Sequence, residues 1–320
     1  MSKHKVLPYV LFSIYILLIL LEYKQFSIWS QVGYYLFNSE SYDRLDMVLE
    51  LFQDKHPHAL RILLIYPFFE ISDFLGVDVN FLYNIVLVIL VFTIYKIFIS
   101  ITKGMIHKPQ LLLVLFFIIF LSLYMNGRLI FAILGNTFIL YILYRQAYSE
   151  YKLSIFKVMI YILLSLWLCS VSSGTLMVGI GTILLFYFLN FIVYLPYIKK
   201  THIYFVLIIL AFLLFFLPLI LQLINKNLDY YDGSFFLMLD HGFGKYFTNI
   251  IIYLILSLPL IFLSMIIAYK YLKKYSYYIL PLSMIFSSLT IGLFGTSSLV
   301  SGIMAYILFI YMILYGRSNV

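Results

Sequence analysis

"ALRILLIYPFFEISDFLG", Ala59 to Gly76, is apolar enough to enter a bilayer, yet it carries Arg61, Pro67, Glu70 and Asp73. Whether it crosses decides which side every later loop faces. The surrounding sequence makes the bilayer unavoidable. Of 320 residues, 64% are hydrophobic and 11% charged, with a mean hydropathy of +1.05; soluble domains carry about 25% charged residues. So much apolar surface does not fit inside one soluble core. The apolar runs are long and lack strand-like alternation, which predicts an all-α polytopic bundle over 1–320 rather than a barrel.

Ten spanning helices are expected, at roughly 6–22, 80–99, 110–124, 129–145, 157–172, 175–195, 203–223, 248–268, 277–294 and 298–315. The N-terminal "MSKHKVLPYVLFSIYILLILLEYK" has a positive start but no small-residue cleavage site, so it predicts a retained first helix. The one cysteine, Cys169, lies in an apolar run and excludes an intramolecular disulfide.

Charge places residues 59–76. With a cytoplasmic N-terminus and no crossing there, 14 of the 21 basic residues face the cytoplasm, including Lys3, Lys5, Lys103, Lys108, Lys199, Lys200, Lys273 and Lys274. A crossing would turn most basic clusters outward, against the positive-inside rule. Residues 59–76 are therefore expected to lie along the outer surface or to dip in and return. This puts both termini inside and two large segments, 23–79 and 224–247, outside. Of the acids, Glu150 alone falls on the cytoplasmic side. The net charge of +8 then reflects topology, not nucleic acid. The cytoplasmic loops are too short for a nucleotide-binding domain, and no "GxxxxGK[ST]" or "GxGxxG" occurs.

Five polar groups stand out. In "ESYDRLDMVLELF", Glu40 to Phe52, helical spacing puts Asp43, Asp46 and Glu50 on one face and Leu45, Val48, Leu49 and Phe52 opposite. That is an amphipathic helix for the membrane surface, and its carboxylates suit a general base. In "DKHPHALR", Asp54, His56 and His58 provide no fixed third metal ligand, so no metal is assigned; His58 and Arg61 suit phosphate instead. "YMNGRLIFAILGN" sets Asn126 and Arg128 at the outer start of a helix, where a topological cation is not expected. Arg128 there reads as an anion clamp aided by the helix dipole, or as a snorkelling anchor. "CSVSSGTLMVGIG" collects Ser172 and Ser173 at a tight turn, matched by "FGTSSLVSG" at 294–302; small residues also allow close helix packing. "NKNLDYYDGSFFLMLDHGFGKYF" brings His241 and Lys245 among aromatics suited to sugar stacking.

Across about residues 20–195, this order of features resembles the EpsG-like and Wzy-type polysaccharide polymerases of bacteria, which have GT-C glycosyltransferase character. The resemblance rests on "SESYDRLDMVLELF", "LLIYPFFEISDFLG", "FLYNIVLVILVFTIYKI", "NGRLIFAILG" and "SSGTL". Leu129 follows Arg128 where the family often has glutamine, Ala132 matches, and Val171 and Ser172 stand where a histidine is usual. The resemblance implies polymerisation of polyprenyl-diphosphate-linked oligosaccharide repeat units at the outer face of the bacterial cytoplasmic membrane, with no cofactor. Its implied partners are that lipid-linked substrate, membrane lipids, and a flippase and chain-length regulator of the same pathway. On this reading Asp43, Asp46 and Arg128 are catalytic. Arg44, His58, Arg61, Glu70, Asn126, Ser172, Ser173, His241 and Lys245 bind substrate. The alternatives are a flippase or transporter of lipid-linked oligosaccharide, an O-antigen ligase and an O-acyltransferase. A transporter would need polar residues through the membrane depth, and an acyltransferase a histidine-centred base.

The topology has a direct test. Cysteine introduced in place of Asp54 or Asp232 should react with an impermeant maleimide added to intact cells; reaction only after the cytoplasmic side is opened would reverse the assignment.

Overall fold

The chain reverses direction at Gly76, and the geometry there sets the framework. In the computed structural model, which describes residues 3–20, 44–54, 59–102, 108–124, 128–149, 152–194, 278–292 and 296–315 and a few isolated positions between 221 and 237, Gly76 has φ 63°. Gly76 N–H donates to Asp73 O at 3.3 Å and Val77 N–H to Ser72 O at 3.1 Å. This closes the helix before it in a Schellman motif, which wants glycine at the left-handed position. Two residues on, the Asp78 carboxylate accepts from the N–H groups of Asn80 (2.8 Å) and Phe81 (3.1 Å) and starts the next helix. Asp78, one of the acids on the outer side by sequence, is thus an N-cap.

The described residues are helical, with no strand among them. They form α1 (Lys3–Leu20), α2 (Arg44–Gln53), α3 (Ala59–Leu75), α4 (Val79–Ile101), α5 (Lys108–Tyr124), α6 (Arg128–Ala147), α7 (Ile155–Cys169), α8 (Ser173–Tyr194), α9 (Ile279–Gly292), α10 (Thr296–Ser301) and α11 (Ile303–Tyr315). α4, α6 and α8 are long and apolar enough to cross a bilayer. α1, α5, α7, α9 and α11 carry shorter apolar stretches. Residues 59–75 make one uninterrupted helix containing Pro67, with no reversal inside it. The expected spans at 203–223 and 248–268 lie outside the described residues.

α6 is the axis of the bundle. Of its apolar stretch 72% is buried, against 33% for α4, and every residue from Leu129 to Thr137 is buried. A helix covered on all sides shows no apolar periodicity, which is why "LIFAILGNT" is greasy throughout. α6 packs against α4, α7 and α8, and α8 in turn packs along α9. These contacts run through small residues. A Cβ on Gly135 would stand 2.6 Å from both Cys169 Sγ and Ser165 O of α7; one on Gly181 would strike Ser287 Oγ of α9, and one on Gly174 would strike Ser298 Oγ of α10.

Hydrogen bonds across helices reinforce this packing. Ser287 Oγ donates to Val178 O at 2.9 Å, and Ser122 Oγ of α5 donates to Tyr15 Oη of α1 at 2.7 Å. Gly135→Ala should therefore force α6 from α7 and lower stability by about 1–3 kcal/mol, the usual scale for overpacking. Thermal aggregation midpoints in detergent should fall for Gly135→Ala and hold for Leu113→Ala, which trims an exposed side chain.

Candidate functional site

The densest group of ionisable side chains among the described residues joins α2 to α3. On α3, Tyr66, Glu70 and Asp73 recur at i, i+4 and i+7 and so share one face. Arg44, the first residue of α2, reaches across to it. Its Nη1 lies 2.5 Å from Asp73 Oδ2 and 3.7 Å from Glu70 Oε1, and its guanidinium sits 5.5 Å from the Phe69 ring centre. The Arg44 side chain is only 12% exposed; the two acids compensate its charge and the aromatic face adds a cation–π contact. Burial, then the adjacent Glu70 carboxylate, holds the Tyr66 phenol above its ordinary pKa, with Arg44 pulling it back.

This clamp is tied to the bundle axis by three rings. Phe68 meets Tyr83 of α4 edge-on at 5.6 Å and Phe131 of α6 at 6.2 Å, and Tyr83 and Phe131 are 6.0 Å apart. Phe131 lies one turn inside α6, so this ring contact joins α3 to the first turns of the central helix. Arg61 is two turns before Phe68 on the same side of α3 and is 7% exposed. It is the one charged residue among the described buried positions, and a buried charge of this kind is costly unless compensated.

The expected site residues fall into separate places. Arg44 and Glu70 come together. Asp46 is exposed on the side of α2 turned away from Arg44. Ser172 and Ser173 belong to the α7–α8 turn, where Ser172 Oγ lies 3.3 Å from Ser297 Oγ and Ser172 O accepts from Leu176 N–H and from Thr175 Oγ1. These bonds close the turn and dock α10. Asp43, His58, Asn126, His241 and Lys245, and the side chain of Arg128, lie outside the described residues.

Asp73, Tyr66 and Phe69 are part of the cluster and were not among the expected site residues. The i, i+4, i+7 spacing of Tyr66, Glu70 and Asp73 was the signal for them. A further polar centre sits deep in the bundle. Asn136 Oδ1 accepts from Cys169 Sγ at 3.5 Å, and its Nδ2 has no acceptor among the described residues. Comparison with protein-family models, with curated proteins and with solved structures returns no match for this chain.

The clamp sets the mobility of α2. A charge-assisted bond to a half-exposed carboxylate is worth about 1 kcal/mol after solvent screening. Asp73→Asn should raise amide exchange over residues 44–53 about fivefold, and the swap Arg44→Asp with Asp73→Arg should recover part of the protection. Unchanged exchange in both would mean that Val48 and Leu51, buried beside Arg44, hold α2 alone.

Proposed function

We propose that this chain is a multi-pass enzyme of a bacterial cytoplasmic membrane, with about ten spans, both termini cytoplasmic and a GT-C-like arrangement. It transfers glycosyl groups between polyprenyl-diphosphate-linked oligosaccharides at the outer face. The observation that carries this reading is the clamp of Arg44 on Asp73 and Glu70 between α2 and α3, beside a described core that holds a single charge, Arg61. A route for ions or a charged solute through the membrane would need charged groups along its depth; Arg61 is the one charge in the described core, which favours chemistry at a surface.

In the proposed reaction an acceptor hydroxyl attacks the anomeric carbon of the donor sugar. The bond from that carbon to the diphosphate oxygen breaks, and its electron pair leaves with the lipid diphosphate. The hydroxyl proton passes to a carboxylate, for which Asp43 and Asp46 are the candidates. Arg128 at the positive end of the central helix, with Arg61, stabilises the leaving diphosphate. Arg44 is engaged by Asp73 and Glu70, so its part is to hold α2 in place. Glu70, whose side chain stays partly exposed beside the clamp, is a candidate for a sugar hydroxyl.

The test is glycan chain length in a deletion strain carrying each variant, with membrane protein levels measured alongside. Single repeat units on the final lipid mean a polymerase, and a bare acceptor means a ligase. Arg128→Ala should cost about 2–4 kcal/mol of transition-state stabilisation, and Arg128→Lys should rescue poorly because a point charge loses the two-pronged geometry. Asp43→Asn or Asp46→Asn should slow transfer by roughly 10²–10⁴-fold. Full-length glycan from a normally inserted Arg128→Ala protein would return Arg128 to a headgroup anchor.

A further inference from the structure

α2 has three faces rather than two. At 100° per residue, Arg44, Val48 and Leu51 fall within one third of the helix circumference, and these are the residues packed toward α3. Asp46, Glu50 and Gln53 fill a second third and are exposed. Leu45, Leu49 and Phe52 fill the remaining third at i, i+4 and i+7, and they are 48%, 49% and 38% exposed. The sequence pattern placed Val48 with these three on one apolar face. In the structure Val48 turns toward the protein, and a clean apolar row is left exposed, with none of the described residues over it.

Two observations indicate what covers that row. The first is that the helices it is joined to also carry exposed apolar rows. α3, to which α2 is clamped, exposes Leu60, Ile71 and Phe74 along one side. α4, joined to α3 through Gly76, exposes Phe81, Ile85, Ile89 and Phe92 at i, i+4, i+8 and i+11, and it is one of the helices long enough to span. The second is the acidic third beside the apolar row. A helix with one face for protein, one for hydrocarbon and one for water suits the boundary of a bilayer. Asp46 and Glu50 without a basic row make anionic headgroups an unfavourable neighbour.

We propose that α2 lies in the plane of the membrane surface with Leu45, Leu49 and Phe52 in the acyl-chain boundary of zwitterionic lipid. This inference rests on the reading of the chain as a membrane protein. It sets the Arg44–Glu70–Asp73 clamp at headgroup depth, so that a ligand reaching the clamp is itself an amphiphile held in the membrane, with its polar part at the surface.

The test uses the full-length protein in phosphatidylcholine nanodiscs, with a nitroxide on single cysteines placed at each position from 45 to 53. Native Cys169 is buried, and the unsubstituted protein gives the labelling blank. Power saturation compares collisions with oxygen, which concentrates in acyl chains, and with a water-soluble nickel chelate. The ratio of oxygen to nickel collisions should be several-fold higher at 45, 49 and 52 than at 46, 50 and 53, and both collision rates should be low at 48 and 51. Labels at 85 and 89 on α4 serve as the reference for lipid. If those report lipid while 45, 49 and 52 favour nickel, α2 stands in water and the proposal is wrong. If 45, 49 and 52 are shielded from both reagents and show dipolar broadening between labels, a second copy of the chain covers the row instead, which also overturns it. If 85 and 89 fail to report lipid, the membrane reading itself fails.

Discussion

The close approach of α6 to α7, at Gly135 against Cys169 and the Ser165 carbonyl, is the contact on which the rest of the bundle depends. In a bilayer, apolar side chains gain nothing by leaving lipid for one another, so helices associate through van der Waals closeness and hydrogen bonds. Glycine at this point lets two backbones meet where any larger side chain would hold them apart. Gly181 against Ser287 and Gly174 against Ser298 repeat the device between α8 and the helices α9 and α10. With α4, α7 and α8 packed around α6, its first nine residues after Arg128 are buried. That coverage brings Phe131 to Phe68 and Tyr83, and the ring contact positions α3 and, through it, α2.

Most hydroxyls in the bundle place little burden on this packing. Thr137, Ser165 and Thr182 each return their proton to the carbonyl four residues earlier, an arrangement that satisfies the group without a partner helix. Asn136 differs, because an amide has too many polar atoms to be satisfied along its own helix. It draws on Cys169 across the α6–α7 contact. Arg61 differs more strongly: it is a cation buried on the bundle side of α3, in surroundings where charge is expensive. With Asn84, a second buried amide, these residues are polar investments of the described bundle that packing alone does not require.

The Arg44 clamp follows a different logic. It lies at the edge of the bundle, where Asp73 and Glu70 keep partial access to water. One guanidinium shared between two carboxylates relieves the repulsion of an i, i+3 acid pair while fastening a short helix to a longer one. A ten-residue helix has little stability alone. Docking through one guanidinium shared by two carboxylates and two apolar contacts leaves α2 ordered and still able to present its other faces outward.

Helical architecture with long apolar segments and the concentration of charged residues in the segments between them were legible from composition and apolar run length, because the bilayer imposes those on any chain that enters it; the stop at Gly76 and the cap at Asp78 were seen only in the structure. The pairing of the two serine-rich turns was legible only as similarity; that Ser172 meets Ser297 depends on how α8 and α10 are brought together. Periodicity identified α2 as amphipathic but drew its apolar face too wide, since period and composition do not distinguish lipid from protein as the thing that covers a leucine or a valine. The site was less legible still. Arg44 read as a free cation for phosphate because sequence shows charge and not pairing, and Asp73, which takes up that charge, lies 29 residues away on another helix. Local sequence determined which segments are helices and which groups are ionisable; only the tertiary structure decided which charges neutralise one another, because compensation depends on distance in space.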